Sequence, residues 1–369
     1  MQALRALHLI FSNTVILFLL LATAAHFAIT GYYRHQLETT SRFSGLPEVV
    51  KRNYSHMAPA DVDELLFITN TLGFQYAPWI GMREKSVKSR FVNVDEYGIR
   101  SNGKPLVGIS QIQNAVWFFG GSTTFGYGVT DAETIPAQLE KQLGRQVINF
   151  GVGSFYSAQE NLLLVQFLRY GYRPSAVLFL DGVNESCDLV DYQEEMKRLF
   201  AKAQEGYRWD PLEIARPAIY ALYKLSSKLK NLAGLSAEPS AGNPLVCEMY
   251  GKSQALRTVH ARVLAERDSL CRLYEISCKT FVQPFGGVHG RYDDPAFLDK
   301  DRKLKRDKFL HLQDGWRKAG AIFVTDALDR HGRHAYLDEE HYSAAACELL
   351  ASAIAPHLTP GAGDRTSAP

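Results

Sequence analysis

A serine held between glycines, an asparagine in a glycine turn, and an aspartate three residues before a histidine are the side chains that could do chemistry together. Ser122 stands in Phe119-Gly-Gly-Ser-Thr-Thr-Phe-Gly-Tyr-Gly128, directly after the apolar run Ala115-Val-Trp-Phe-Phe119. A tight glycine turn lets backbone approach a reacting group and leaves a hydroxyl exposed where a strand ends. Asn184 lies in Leu180-Asp-Gly-Val-Asn-Glu185, and Asp338 and His341 lie in Tyr336-Leu-Asp-Glu-Glu-His-Tyr342. A fourth segment, Asn149-Phe-Gly-Val-Gly-Ser-Phe-Tyr-Ser157, offers backbone N–H groups at Gly153 and Ser154. Serine is a weak nucleophile until an adjacent base takes its proton, and converging donors hold the oxyanion that its attack creates. Each segment alone has a plainer reading: a packing or phosphate-binding turn, a turn asparagine, a capping pair. A P-loop is excluded, because no Gly-Lys-Ser/Thr follows the glycines.

The elements that must position these groups follow an α/β rhythm. Strands are expected over Ala115–Phe119, Gln146–Phe150, Ala176–Leu180, Cys278–Gln283 and Ala321–Val324. Helices are expected over Ile135–Leu143, Ala158–Tyr170, Ser253–Tyr274, residues 299–319 and Ser343–Leu358. Strands alternating with helices imply parallel βαβ units with right-handed crossovers. Every candidate residue falls at or beyond the carboxyl end of a strand, or just before the last helix.

Residues 188–252 interrupt the rhythm and read as a helical insertion, a lid or a surface for a protein partner. Residues 35–110 read as a stalk and lead-in with little periodicity: a helix over Ala60–Leu72, and a short strand with a turn over Arg90–Arg100. Between Leu7 and Tyr33 no Asp, Glu, Lys or Arg occurs, and His8 and His26 are the two histidines of a run long enough to span a bilayer. An uncleaved anchor over residues 1–34 is the expectation; Ala22-Thr-Ala24 also fits a cleaved signal peptide. The basic residues flanking the run are nearly balanced, and the short amino-terminal stub is the ground for expecting the remaining chain outside the cytoplasm, in the periplasm. Residues 361–369 read as a disordered tail.

Lys and Arg number 41 and Asp and Glu 39, a balance that gives no argument for nucleic-acid binding. The five cysteines show no metal spacing, and small buried residues are the expectation for them. One disulfide fits an extracytoplasmic domain.

The four segments, in their order along the chain, resemble those of the SGNH hydrolases, the GDSL esterase/lipase superfamily, over about residues 115–360. The Gly-Gly-Ser block is similar to that of the membrane-associated bacterial branch, where it replaces Gly-Asp-Ser. Residues 90–100 also resemble an Asn…Gly-x-Arg lead-in found in many such proteins. The resemblance implies a flavodoxin-like three-layer α/β/α sandwich with a parallel sheet and no metal or organic cofactor. It makes Ser122 the nucleophile, His341 the general base and Asp338 its orienting carboxylate, which can be dispensable in the family. Ser122 N–H, a second-block N–H (Ser154 by position, with Gly153 just before it) and the Asn184 side chain form the oxyanion hole. Serine at 154 departs from the family glycine, and Glu185 from the usual aspartate. The implied activity is ester hydrolysis, with acetyl groups on a carbohydrate or envelope polysaccharide as the substrate. O-acyl transfer, lysophospholipid or thioester hydrolysis, and a non-catalytic scaffold in polysaccharide export are the competing readings.

Overall fold

Five short strands lie side by side, the three made of bulky apolar runs fully buried and the other two partly so. In the computed structural model they form one parallel sheet of β1 (Val116–Gly120), β2 (Val147–Gly151), β3 (Ala176–Asp181), β4 (Cys278–Val282) and β5 (Ile322–Phe323), in the order β2-β1-β3-β4-β5. The described residues are 5, 11–18, 20–21, 23–24, 27, 41–104, 108–186, 254–289 and 300–358. β1 and β2 are buried along their whole length, as strands covered on both faces must be.

Side chains alternate between the two faces with the strand period of two. Val116, Phe118, Leu178, Leu180 and Phe281 pack with Leu139 and with Leu350 and Ile354, on helices Ile135–Leu143 and Ala344–Ile354. Trp117, Phe119, Ile148, Phe150 and Phe179 pack with Leu164 and Phe167 of helix Ser157–Arg169. Val282 meets Val263 and Trp316, on helices Gln254–Leu273 and Lys300–Lys318. The result is the expected three-layer α/β/α arrangement. The strand and helix boundaries lie close to those read from the sequence, and helix Ile135–Leu143 coincides. Its ends explain that: Thr134 caps it by accepting the Ala137 N–H, Pro136 sits in the first turn, and Gly144 ends it at φ +59°.

The lead-in segment is more ordered than a stalk. From Ser41 it belongs to the same compact unit as the sheet. Helix Pro59–Thr71 and the segment around Val92 and Val94 build a cluster with Val50, Tyr54 and Phe125. Strands Phe74–Ala77 and Gly81–Glu84 form an antiparallel hairpin. Asn93–Val94 pairs with Val87–Lys88, and Arg100 bridges to Asn149, so the lead-in covers the outer edge of β2.

Four expectations stand apart from this agreement. The insertion at 188–252 and the tail at 361–369 lie outside the described residues. The amino-terminal segment is described only in part; residues 11–18 are helical, and among the described residues no helix is long and apolar enough to cross a membrane. Two of the cysteines are not merely small buried residues: Cys271 and Cys278 form a disulfide, with 6.1 Å between their Cα atoms, joining the end of helix Gln254–Leu273 to β4. The turn between helix and strand brings the two thiols within bonding range. Cys347 is buried and free.

Candidate active site

The strand order reverses between β1 and β3, since β2 lies to one side of β1 and β3 to the other. The carboxyl ends of strands at such a reversal leave a crevice. Ser122 opens the one-turn helix Ser122–Phe125 directly after β1, and Asn184 opens the turn after β3. The helix ends at Gly126, whose φ of +89° suits glycine.

His341 arrives from the loop before helix Ala344–Ile354, and its Nε2 lies 2.8 Å from Ser122 Oγ. Its Nδ1 lies 2.6 Å from Asp338 Oδ2, and Asp338 Oδ1 accepts the N–H groups of Glu340 and His341, each at 2.8 Å. The three-residue step thus closes a single turn around the aspartate. Desolvation pushes the Asp338 carboxyl up, but the charge and hydrogen bond of His341 and the two backbone N–H groups outweigh it. The carboxyl is held well below the usual carboxylate range. The Tyr127 ring stacks on the His341 imidazole, centroids 5.6 Å apart and planes 16° apart.

The second-block loop faces the same point. Asn184 Nδ2 donates to Phe155 O at 2.7 Å, and it occupies the space where a Cβ on Gly121 would stand, 2.3 Å away. This is a steric reason for glycine before the serine: any side chain there displaces the amide. Ser154 has a φ of +63°, the left-handed region that the glycine-to-serine departure placed in question. The loop therefore keeps the glycine-like conformation with a serine in it, at a strain of about 1–2 kcal/mol. Gly153 does not offer its N–H to the site, because that N–H is donated to Glu84 Oε1 at 2.8 Å. Of the two, Gly153 is therefore the one whose N–H is committed elsewhere.

Two further residues shape the site. Arg100 is buried, donates to the carbonyls of Phe125, Gly126 and Val129, and pairs with Asp131 at 3.1 Å. It fastens the loop that follows Ser122, which gives a physical role to the Gly-x-Arg of the lead-in. Glu84 belongs to no motif segment, and nothing in its sequence surroundings singles it out.

Behind the crevice lies a sealed polar cluster. Arg267 donates to Asp181 Oδ2 at 2.8 Å, to Glu160 Oε2 at 2.9 Å and to Asn161 Oδ1 at 3.0 Å. Glu185 accepts the N–H of Gly182 at 2.7 Å and of Ser157 at 3.1 Å, tying the Asn184 turn to helix Ser157–Arg169. Burial, then the Asp181 charge, push the Glu185 carboxyl up to about 7. Glu160, Asp181 and Glu185 each bring a carboxylate oxygen within 4.8 Å of the others, a donor set suited to a hard cation. The Arg267 guanidinium already stands among them as countercharge.

The parallel sheet, the serine ending its first strand, the asparagine past the third and Asp-x-x-His before the last helix form the arrangement in which the comparisons with known proteins are set. No family model matches the chain, and no curated protein sequence does. Among solved structures the chain is similar to a carbohydrate acetylesterase family member from Sinorhizobium meliloti, at 12% identity, 66% of this chain, 97% of that one and a TM-score of 0.37. It is similar to Axe2, an acetylxylan esterase from Geobacillus stearothermophilus, at 15% identity, 66% and 94% coverage and a TM-score of 0.34. It is also similar to an acetyl xylan esterase, AlAXEase, at 10% identity, 66% and 100% coverage and a TM-score of 0.36.

Proposed function

We propose that the chain is a serine ester hydrolase that removes acyl groups, acetyl above all, from a carbohydrate or envelope polysaccharide. The observation that carries this reading is the hydrogen-bonded chain from Ser122 Oγ through His341 to Asp338, with spans of 2.8 and 2.6 Å. His341 Nε2 takes the Ser122 proton as Oγ attacks the ester carbonyl. The carbonyl oxygen becomes an oxyanion that accepts from the N–H groups of Ser122 and Ser154 and from Asn184 Nδ2. The imidazolium, paired with Asp338, then gives its proton to the departing alcohol. Water, deprotonated by the same nitrogen, attacks the acyl-serine through a second oxyanion, and the carboxylic acid leaves as Ser122 recovers its proton.

The substrate class rests on the resemblance of the Gly-Gly-Ser block to the membrane-associated branch. We place the domain outside the cytoplasm, tethered by the amino-terminal segment. Two observations support that placement: the apolar run between Leu7 and Tyr33, and the Cys271–Cys278 disulfide, which persists in oxidising compartments. A reporter fused after Gly31 should be active only on the extracytoplasmic side; activity in the cytoplasm alone overturns the placement.

A fluorophosphonate probe should label Ser122 in the wild-type chain, and p-nitrophenyl acetate should be hydrolysed. A folded chain that does neither overturns the hydrolase reading. Incubation with acetylated glycans, short-chain esters and lysophospholipids then ranks the substrates. Acetate released to water supports the hydrolase, and acetyl recovered on an added sugar identifies a transferase.

A further inference from the structure

Glu84 ends a hairpin strand in the lead-in segment and is fully buried. Its Oε1 takes two donors at once: the Gly153 N–H at 2.8 Å and the Tyr127 hydroxyl at 3.0 Å. Each donor belongs to a piece of the site. Gly153 precedes Ser154, whose φ of +63° is strained for serine and must be held by its neighbours. Tyr127 carries the ring stacked on the His341 imidazole. The three groups fit without slack: a Cβ on Gly153 would stand 2.5 Å from Tyr127 Oη and 3.1 Å from Glu84 Oε1.

We propose that Glu84 is a positioning residue for the reaction. It holds Gly153 and Ser154 in the conformation that turns the Ser154 N–H toward the oxyanion, and it keeps Tyr127 seated against His341. The inference rests on the hydrolase reading of Ser122 and His341. Without the acceptor at 84, the Gly153 N–H loses its anchor and Ser154 can relax to a negative φ, which rotates its N–H away. A donor that acts on the oxyanion contributes mainly in the transition state, so its misplacement falls on kcat and spares KM.

Fluorophosphonate titration counts reactive Ser122, so kcat is read per labelled serine. Glu84→Leu fills similar volume but leaves both donors without an acceptor. It should lower kcat on p-nitrophenyl acetate about 10–100-fold, with KM within about threefold of wild type. Glu84→Gln keeps one acceptor oxygen and should hold kcat within about threefold of wild type. A purely structural Glu84 would reduce the number of labelled serines or the unfolding midpoint and leave kcat per labelled serine alone. A Glu84→Leu kcat within about threefold of wild type therefore overturns the inference. If that variant does not fold, Glu84→Asp, which withdraws the carboxylate by one methylene, should lose about 3–10-fold in kcat; an unchanged kcat overturns the inference as well. A wild-type chain that neither labels at Ser122 nor turns over the ester overturns the hydrolase reading, and this inference with it. Labelled wild type beside an indifferent Glu84 variant overturns this inference alone.

Discussion

Two ionic constellations lie close to the carboxyl ends of the sheet, and they are built for opposite ends. In the open one, the His341 and Asp338 side chains are 19% and 55% exposed, and the chain of bonds ends at a serine hydroxyl. In the sealed one, the Arg267 and Asp181 side chains are 3% and 0% exposed, and the guanidinium is shared among Asp181, Glu160 and Asn161. A buried charge left without its partner is costly, and every nitrogen of the Arg267 guanidinium is engaged, although Asp181 Oδ1 and Glu160 Oε1 have no hydrogen-bond partner among the described residues. Only the open set has a member whose bond can be exchanged for one to a substrate. The sealed network is built as a frame, with Glu185 anchoring the turn that carries Asn184, and the proposed chemistry falls to the open set.

The comparison is broken most directly by exchanging the effects of single substitutions. Ser122→Ala should abolish ester turnover by about 10⁴–10⁶-fold while moving stability by no more than about 0.5 kcal/mol, read from p-nitrophenyl acetate kinetics and urea unfolding. Arg267→Met should do the reverse in kind. It leaves Asp181 and Glu160 buried without countercharge, so unfolding free energy should fall by about 3–5 kcal/mol. If Ser122→Ala unfolds the chain, or Arg267→Met leaves its unfolding midpoint unmoved, the division into chemistry and frame fails.

Asn184→Ala lies where the two sets meet. The Glu185 bonds remain, so the turn should persist, and kcat should fall about 10²–10³-fold with little change in KM. A rise in KM with kcat unchanged would make Asn184 a ground-state binding residue instead. Asp338→Asn should be milder, about 10–100-fold in kcat, the equivalent of one charge-assisted hydrogen bond. A loss as large as that of Ser122→Ala would show that the exposed carboxylate does more than orient the imidazole.

How much of this was legible in the sequence depends on the range of the signal. β1 to β4 and helix Ile135–Leu143 were readable because apolar runs, a capping threonine and glycine stops are local features. Ser122, Asn184, Asp338 and His341 were readable because each motif is contiguous, and the structure brings all four segments to one crevice. Arg267, Arg100 and Glu84 were not marked as members of the site. Their partners lie far along the chain: Arg267 reaches Asp181 across 86 positions, and Glu84 reaches Gly153 across 69. A charged residue reads as a solvated face until the fold supplies its counterpart. Gly153 was read together with Ser154 as an oxyanion donor, and only the Glu84 contact separates the two. The Cys271–Cys278 bond likewise depends on the turn between them, which their spacing alone did not fix.

The smallest effect separates the two regimes by sign. Asp338 is held below its ordinary pKa of 3.8, so what it contributes to stability is present above that pH and is lost as pH falls through the folded value. Glu84 behaves oppositely. Burial pushes its carboxyl from 4.5 up to about 7, against the hydrogen bonds of Gly153 and Tyr127 and the charge of Arg100. Between those two values the unfolded chain has released the proton and the folded chain still holds it. The unfolded state therefore binds fewer protons, and stability declines as pH rises across that window and levels off above it. Urea midpoints measured from about pH 4 to 8 should show this decline. Glu84→Gln, which imitates the protonated acid, should make the slope shallower, and the raised Glu185 carboxyl keeps the remainder. Asp338→Asn should leave the slope in place and change only the acid side. An identical slope in wild type and Glu84→Gln would mean that Glu84 is ionised in the folded chain throughout, and the carboxylate beneath the Ser154 loop would then be a permanent charge.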